Sequence, residues 1–114
     1  MDLGTHYLAL SVNDILEAFL FYKKLGFEPP ENGGSLDDKW LVLANGSLKI
    51  GLFQGMFAQN TLTFNPKDAR SIFGRLKDDV KVNASSGMDA PAGPCYFMVS
   101  DPDGNHLLFD QHND

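Results

Sequence analysis

The chain has 114 residues, of which 43% are hydrophobic and 21% charged, enough for one domain with its own core and too balanced for wholesale disorder. Its nine Lys and Arg stand against fifteen Asp and Glu, for a formal net charge of −6. That excludes a basic surface of the kind a nucleic-acid backbone demands.

Residues 5–12 are rich in Leu, short and run into polar residues, which reads as a strand. Asn13 or Asp14 can cap the helix that follows, and Asp14 with Glu17 has the spacing of a capping box. Ile15, Phe19, Tyr22 and Leu25 recur at helical spacing, and Gly26 stands where a helix C-terminus favours positive φ. Residues 27–30 form a short extended piece, and residues 31–38 a polar loop.

A hairpin comes next. Residues 39–44 and 47–54 flank Asn45-Gly46, the pair that suits a two-residue type I′ turn. That turn would set Ala44 against Ser47, Val42 against Lys49 and Trp40 against Gly51. Leu41, Leu43, Leu48, Ile50 and Leu52 then share a core face. Trp40, Val42, Lys49, Gly51 and Phe53 share the other.

After the connector 55–59 the pattern restarts with a strand at 60–64. Asn65 is placed to cap a helix with Pro66 at its first position and Ala69, Ile72, Phe73 and Leu76 on its apolar stripe. A short strand at 80–82 precedes an irregular stretch, 83–91. Residues 94–100 and 105–111 form the last two strands, joined by Asp101-Pro102-Asp103-Gly104, a type I turn sequence. The chain thus reads as a single α+β domain, residues 1–114, made of two βαβββ repeats at about 1–55 and 56–114. Curved mixed sheets would enclose a cleft, with the helices on the outer faces.

Cys95 is the one cysteine. It cannot form an internal disulfide, which suits a reducing cytoplasm. Alternation with Phe97 and Val99 assigns it to the helix-side core. The N-terminal residues lack a signal peptide's basic and apolar regions. No apolar run reaches the ~20 residues that a membrane helix needs. A Gly-rich phosphate loop, zinc spacing and a G-x-S-x-G elbow are all missing from the sequence.

Three segments together resemble the vicinal oxygen chelate superfamily, which includes glyoxalase I, extradiol dioxygenases, fosfomycin-resistance enzymes and bleomycin-binding proteins. They are Val12-Asn13-Asp14, Phe21-Tyr22-Lys23-Lys24-Leu25-Gly26-Phe27 and Asp101-Pro102-Asp103-Gly104-Asn105. None of these is catalytic, so the resemblance speaks for fold more than for reaction. It implies a divalent metal site at four inward strand positions, which fall on Tyr7, Gly51, Thr61 and Leu108. None of these side chains suits a borderline ion that wants imidazole, thiolate or carboxylate. His6 is one residue off and points to the opposite face. His106 shares the inward face with Leu108, but Asp110 stands about 13 Å along the strand from it, too far to share an ion.

The inward face that remains is aromatic and mixed-polar: Tyr7, Ala9, Ser11, Trp40, Lys49, Phe53, Thr61, Thr63, Tyr96, Met98 and His106. Trp40 beside Gly51 reads either as a stacking platform for a flat ligand or as a cover for the glycine gap. The resemblance then implies a protein without bound metal or cofactor that binds or sequesters an amphipathic or aromatic small molecule, as bleomycin-resistance proteins do. It also implies a homodimer. The alternatives are a metal-dependent lyase, isomerase or dioxygenase with relocated ligands, and a dimerising interaction module without a ligand.

Overall fold

Two βαβββ runs follow one another along the chain, which the computed structural model describes over residues 1–112. The first comprises β1 (Thr5–Val12), α1 (Ile15–Lys24), β2 (Gly34–Ser35), β3 (Trp40–Asn45) and β4 (Leu48–Gln54). The second comprises β5 (Thr61–Asn65), α2 (Ala69–Leu76), β6 (Val82–Ser86), β7 (Cys95–Ser100) and β8 (His106–Gln111). The backbone clusters into two units, Tyr7–Thr61 and Met1–His6 with the segment from Leu62 onward. The fold class is α+β.

In the unit Tyr7–Thr61 the strand order is β2-β3-β4-β1. β1 runs parallel to β4, and the β3–β4 and β2–β3 pairs are antiparallel. α1 starts where expected: the Asp14 carboxylate accepts from the amides of Leu16 and Glu17 at 3.0 and 3.2 Å. A second side chain serves the same end, Gln54 Oε1 accepting from Ile15 N at 3.0 Å. The helix closes on a Schellman motif. Gly26 takes φ +98°, Gly26 N donates to Lys23 O, and Phe27 N reaches back to Tyr22 O. The rings of Tyr22 and Phe27 meet edge-on at 5.8 Å beneath it. This explains why Phe21 to Phe27 reads as a unit: the segment encodes a helix stop and the apolar contact that locks it.

α1 covers one sheet face. Its Ile15 joins Phe27, Leu41, Leu43 and Leu52 in a core flanked by Leu10, Val12, Ala18, Phe19, Tyr22 and Ile50. Leu48, assigned to that core from alternation, is 62% exposed because it sits at the hairpin end, beyond the helix.

The hairpin register differs from expectation. Asn45 pairs with Leu48, Val42 with Gly51 and Trp40 with Phe53, so the two-residue loop is Gly46-Ser47. Gly46 has φ +61° and Ser47 no positive φ, the pattern of a type II′ turn with Gly first. Asn45 is held in the strand by a second task, its Nδ2 donating to Leu25 O at 3.1 Å at the end of α1. The shift is two residues, an even number, so the assignment of side chains to faces survives it.

In the other unit the strand order is β5-β8-β7-β6, with β6–β7 and β7–β8 antiparallel. Its core combines Ala69, Ile72, Cys95, Phe97, Val99 and Phe109. Cys95 lies there, as alternation requires. The helix start expected at Asn65 and Pro66 is corrected. Asp68 is the cap, its carboxylate accepting from Ser71 N at 3.0 Å, and Asn65 ends β5 with its Nδ2 donating to Asp110 O. The expected strand at 80–82 lies instead at Val82–Ser86, inside the stretch read as irregular; pairing with β7 across a bulge, not its own polar sequence, makes it a strand. Likewise β2 forms within the polar loop 31–38 because Gly34 and Ser35 find partners on β3. The extended piece 27–30 contributes a single bridge, Glu28 to Ala44.

Candidate functional site

The sheet face opposite α1 carries an aromatic cluster. Tyr7, Ala9 and Phe53 are buried there, with Trp40, Val42 and Phe57 packed against them. The rings of Tyr7, Phe53 and Trp40 lie nearly parallel. Tyr7 and Phe53 are 6.3 Å apart at 9°, and Trp40 and Phe53 are 6.1 Å apart at 9°. Phe57, from the connector, meets Phe53 edge-on at 5.0 Å. Offset stacking and edge-on contact are the arrangements that the ring quadrupole favours.

This geometry settles the question of the space at Gly51. A Cβ built there would come within 2.5 Å of Phe53 Cε2 and 2.8 Å of Tyr7 Cε2. Tyr7 and Phe53 therefore fill the glycine gap, and Trp40 lies beyond Phe53, opposite it in the register. Trp40 is half-buried, so part of the indole stays accessible. Lys49 is exposed on the same face, paired with Ala44. Ser11 is exposed and held to the connector, its hydroxyl donating to Phe57 O at 2.8 Å and its amide to Asn60 Oδ1 at 3.0 Å. Those two bonds place Phe57 over Phe53. Thr61, at the end of this unit, is fully buried, and its hydroxyl donates to Gln59 O at 3.0 Å.

In the other unit, Thr63 is fully buried and Leu108 nearly so. Leu108 pairs with Met98, His106 with Ser100 and Asp110 with Tyr96, so these six residues share the face opposite α2. His106 and Met98 are half-buried and Tyr96 is 38% exposed. Burial holds the Asp110 carboxyl above its ordinary value, with His112 Nε2 at 3.7 Å from Oδ2 opposing the shift. His6 lies on the other face, stacked on Phe64 at 5.8 Å, as its one-residue offset from Tyr7 requires.

The four positions that the resemblance assigns to a metal offer it no suitable donors. Gly51 has no side chain and its space is occupied by two rings; Tyr7 belongs to the same stack, Thr61 bonds a backbone carbonyl, and Leu108 is apolar. Among the described residues no three His, Cys, Asp or Glu side chains converge to hold an ion. No described helix is long and apolar enough to cross a membrane.

Two side-chain arrangements escaped the sequence reading. Gln111 Oε1 accepts from Ala69 N at 2.8 Å while its Nε2 donates to Gly93 O at 3.1 Å. Gln111 thus ends β8 and serves the first amide of α2, just as Gln54 ends β4 and serves the first amide of α1. The two glutamines are a mark of the repeat, visible in the sequence as a strand-terminal Gln in each half. Arg70 clamps the loop before β7 by donating to Gly87 O, Ala92 O and Gly93 O at 2.8 to 3.1 Å. The turn at Asp101 is equally self-contained. Its carboxylate accepts from Asp103 N, Asn105 N and Asn105 Nδ2, all at 2.9 Å, and the Asn105 side chain above all holds its pKa below the usual carboxylate value. The aspartates of this turn are local hydrogen-bonding groups, not an acid–base pair.

The chain matches no known family profile and no curated protein. Its backbone does match solved structures. A glyoxalase/bleomycin resistance protein/dioxygenase superfamily member from Vibrio splendidus is 19% identical, with 94% of this chain and 97% of that one covered and a TM-score of 0.66. Methylmalonyl-CoA epimerase from Mycobacterium tuberculosis is 15% identical, with 100% and 92% covered and a TM-score of 0.69. An NAD-dependent benzaldehyde dehydrogenase from Legionella pneumophila is 19% identical, with 96% and 100% covered and a TM-score of 0.74. Together with the two βαβββ runs, these likenesses show that the chain has the fold of the vicinal oxygen chelate superfamily.

Proposed function

We propose that this protein binds a flat aromatic or amphipathic small molecule against the sheet face that carries Tyr7, Trp40 and Phe53, without a resident metal. The observation that supports the reading is the parallel stack of those three rings with the half-buried indole beyond Phe53. Such a surface offers a ligand both apolar area and a ring face for stacking. Lys49 and Ser11 supply polar contacts at its margin, and the net charge of −6 favours a cationic ligand. A metal-dependent lyase, isomerase or dioxygenase draws no support from the donor chemistry at Tyr7, Gly51, Thr61 and Leu108.

Trp40 is the only tryptophan in the chain, so its emission reports on the site directly. A screen of planar, cationic dyes and drugs should yield compounds that quench or shift that emission saturably. Trp40→Ala should then weaken binding by ~1–3 kcal/mol, the range expected for aromatic burial and stacking. Circular dichroism establishes that the variant is folded before its affinity is read. A compound that binds at micromolar concentration or below, yet leaves Trp40 emission unmoved and binds Trp40→Ala equally well, would overturn the proposal.

A further inference from the structure

We propose that the outward face of α1 pairs with α1 of a second copy of this chain, antiparallel, about a two-fold axis beside Leu20. The helix buries Ile15, with Ala18, Phe19 and Tyr22 packed beside it, against its sheet. Its other side remains apolar: Leu16 is 50% exposed, Leu20 48%, Phe21 57% and Leu25 57%. The same element in the second repeat is different. α2 shows solvent Ser71, Gly74 and Arg75. An apolar outer face is therefore not a requirement of the repeat, and α1 carries one for another reason.

At 3.6 residues per turn, Glu17, Leu20 and Lys24 fall along the centre of the outward face, with Leu16 and Phe21 to either side. An antiparallel two-fold pairing centred between Leu20 and Phe21 sets Leu20 of each copy against the partner's Phe21. It also sets Glu17 against the partner's Lys24, and does so twice. A parallel pairing would instead oppose Glu17 to Glu17 and Lys24 to Lys24. Among the described residues neither Glu17 nor Lys24 has an ion pair within the chain, so both are free to serve this contact.

The area is adequate. With a large apolar side chain contributing roughly 200 Å² when fully exposed, four at about half exposure offer on the order of 400 Å² per copy. The stems of Glu17, Lys23 and Lys24 add to this, which brings the pair to about 1,000 Å² in total, the lower bound for a specific interface. A dimer of micromolar strength follows, in the isologous form that two-fold symmetry imposes. This inference stands independently of the ligand reading.

Sedimentation velocity on the full chain from ~1 to ~200 μM covers that range of affinity. The wild-type protein should move from 12.6 kDa toward twice that mass. Leu20→Glu, on the exposed side, should stay monomeric with an unchanged circular dichroism spectrum, and Leu20→Ser should do the same without added charge. Glu17→Lys and Lys24→Glu should each weaken the dimer at least tenfold, and the double exchange should restore it. Glu17 lies in the first turn and Lys24 in the last, so each exchange opposes the helix dipole. A purely structural effect would therefore make the double variant the worst of the three, whereas the interface makes it the best. A wild-type chain that stays monomeric throughout, as it would if this face takes a different protein, overturns the proposal. So does a dimer indifferent to Leu20→Glu, or an absence of rescue in the double exchange.

Discussion

Gln111→Leu tests whether the two strand-terminal glutamines carry unequal shares of stability. Gln111 is 3% exposed, and the amide it serves belongs to Ala69, which is fully buried. Leucine fills a similar volume but accepts nothing, so the Ala69 N–H is left without its partner in a place water does not reach. Orphaning one such group costs about 1–3 kcal/mol. Gly93 O keeps its bond from Arg70 Nη1 at 3.1 Å, and the Cys95 thiol loses only a long contact of 3.7 Å, so these add little. The total stays at about 1–3 kcal/mol, and at roughly 4 °C per kcal/mol for a chain of this size the melting point should fall by about 4–12 °C. Gln54→Leu provides the contrast. Gln54 is only half-buried, and Asp14 already serves two other amides of α1, whereas Asp68 serves one at α2. Water can replace Gln54, and the loss should stay near or below about 1 kcal/mol. Urea unfolding followed by far-ultraviolet circular dichroism measures both variants, and an unchanged m-value keeps the comparison valid. If Gln111→Leu costs no more than Gln54→Leu, burial is not what sets the value of these caps.

Gly51→Ala should destabilise the chain by about 1–3 kcal/mol, because its Cβ must displace the rings of Phe53 and Tyr7; a melting point equal to or above the wild type's would mean that the space is open after all. Asp110 makes stability depend on pH in a stated direction. A carboxyl whose native pKa is raised contributes its full stability below the ordinary value of 3.8 and loses it as pH rises through the raised one. Asp110→Asn removes that dependence, so from pH 4 to 7 the wild type should lose stability relative to the variant in thermal melts. Parallel curves for the two proteins, or a wild type that gains, would refute the assignment.

Much of the fold was legible along the chain. Asp14 as a cap, Gly26 as a helix stop, the turn at Asp101 and the alternation that sends Tyr7 and His6 to opposite faces are each decided within a few residues. Short-range hydrogen bonds and positive φ leave few other solutions there. The sorting of Leu41, Leu43 and Leu52 from Trp40, Val42 and Phe53 was legible too, because side-chain direction in a strand has period two and survived even a misplaced turn.

Other features were decided by the tertiary structure. Asn45-Gly46 is a good turn in isolation, but the bond from Asn45 to Leu25 O draws the asparagine into the strand and moves the loop one residue on. Asn65-Pro66 is a good helix start in isolation, but Asn65 is taken by Asp110 O and the cap passes to Asp68. β2 and β6 exist because neighbouring strands supply partners that their own polar residues do not announce. The site shows the same division. Sequence put Trp40 and Phe53 on one face, since that needs only alternation, and the resemblance added Tyr7 to it. Which ring fills the space at Gly51, and that Phe57 closes over Phe53, depend on contacts between residues up to about 50 positions apart, and on side-chain packing that no local pattern encodes.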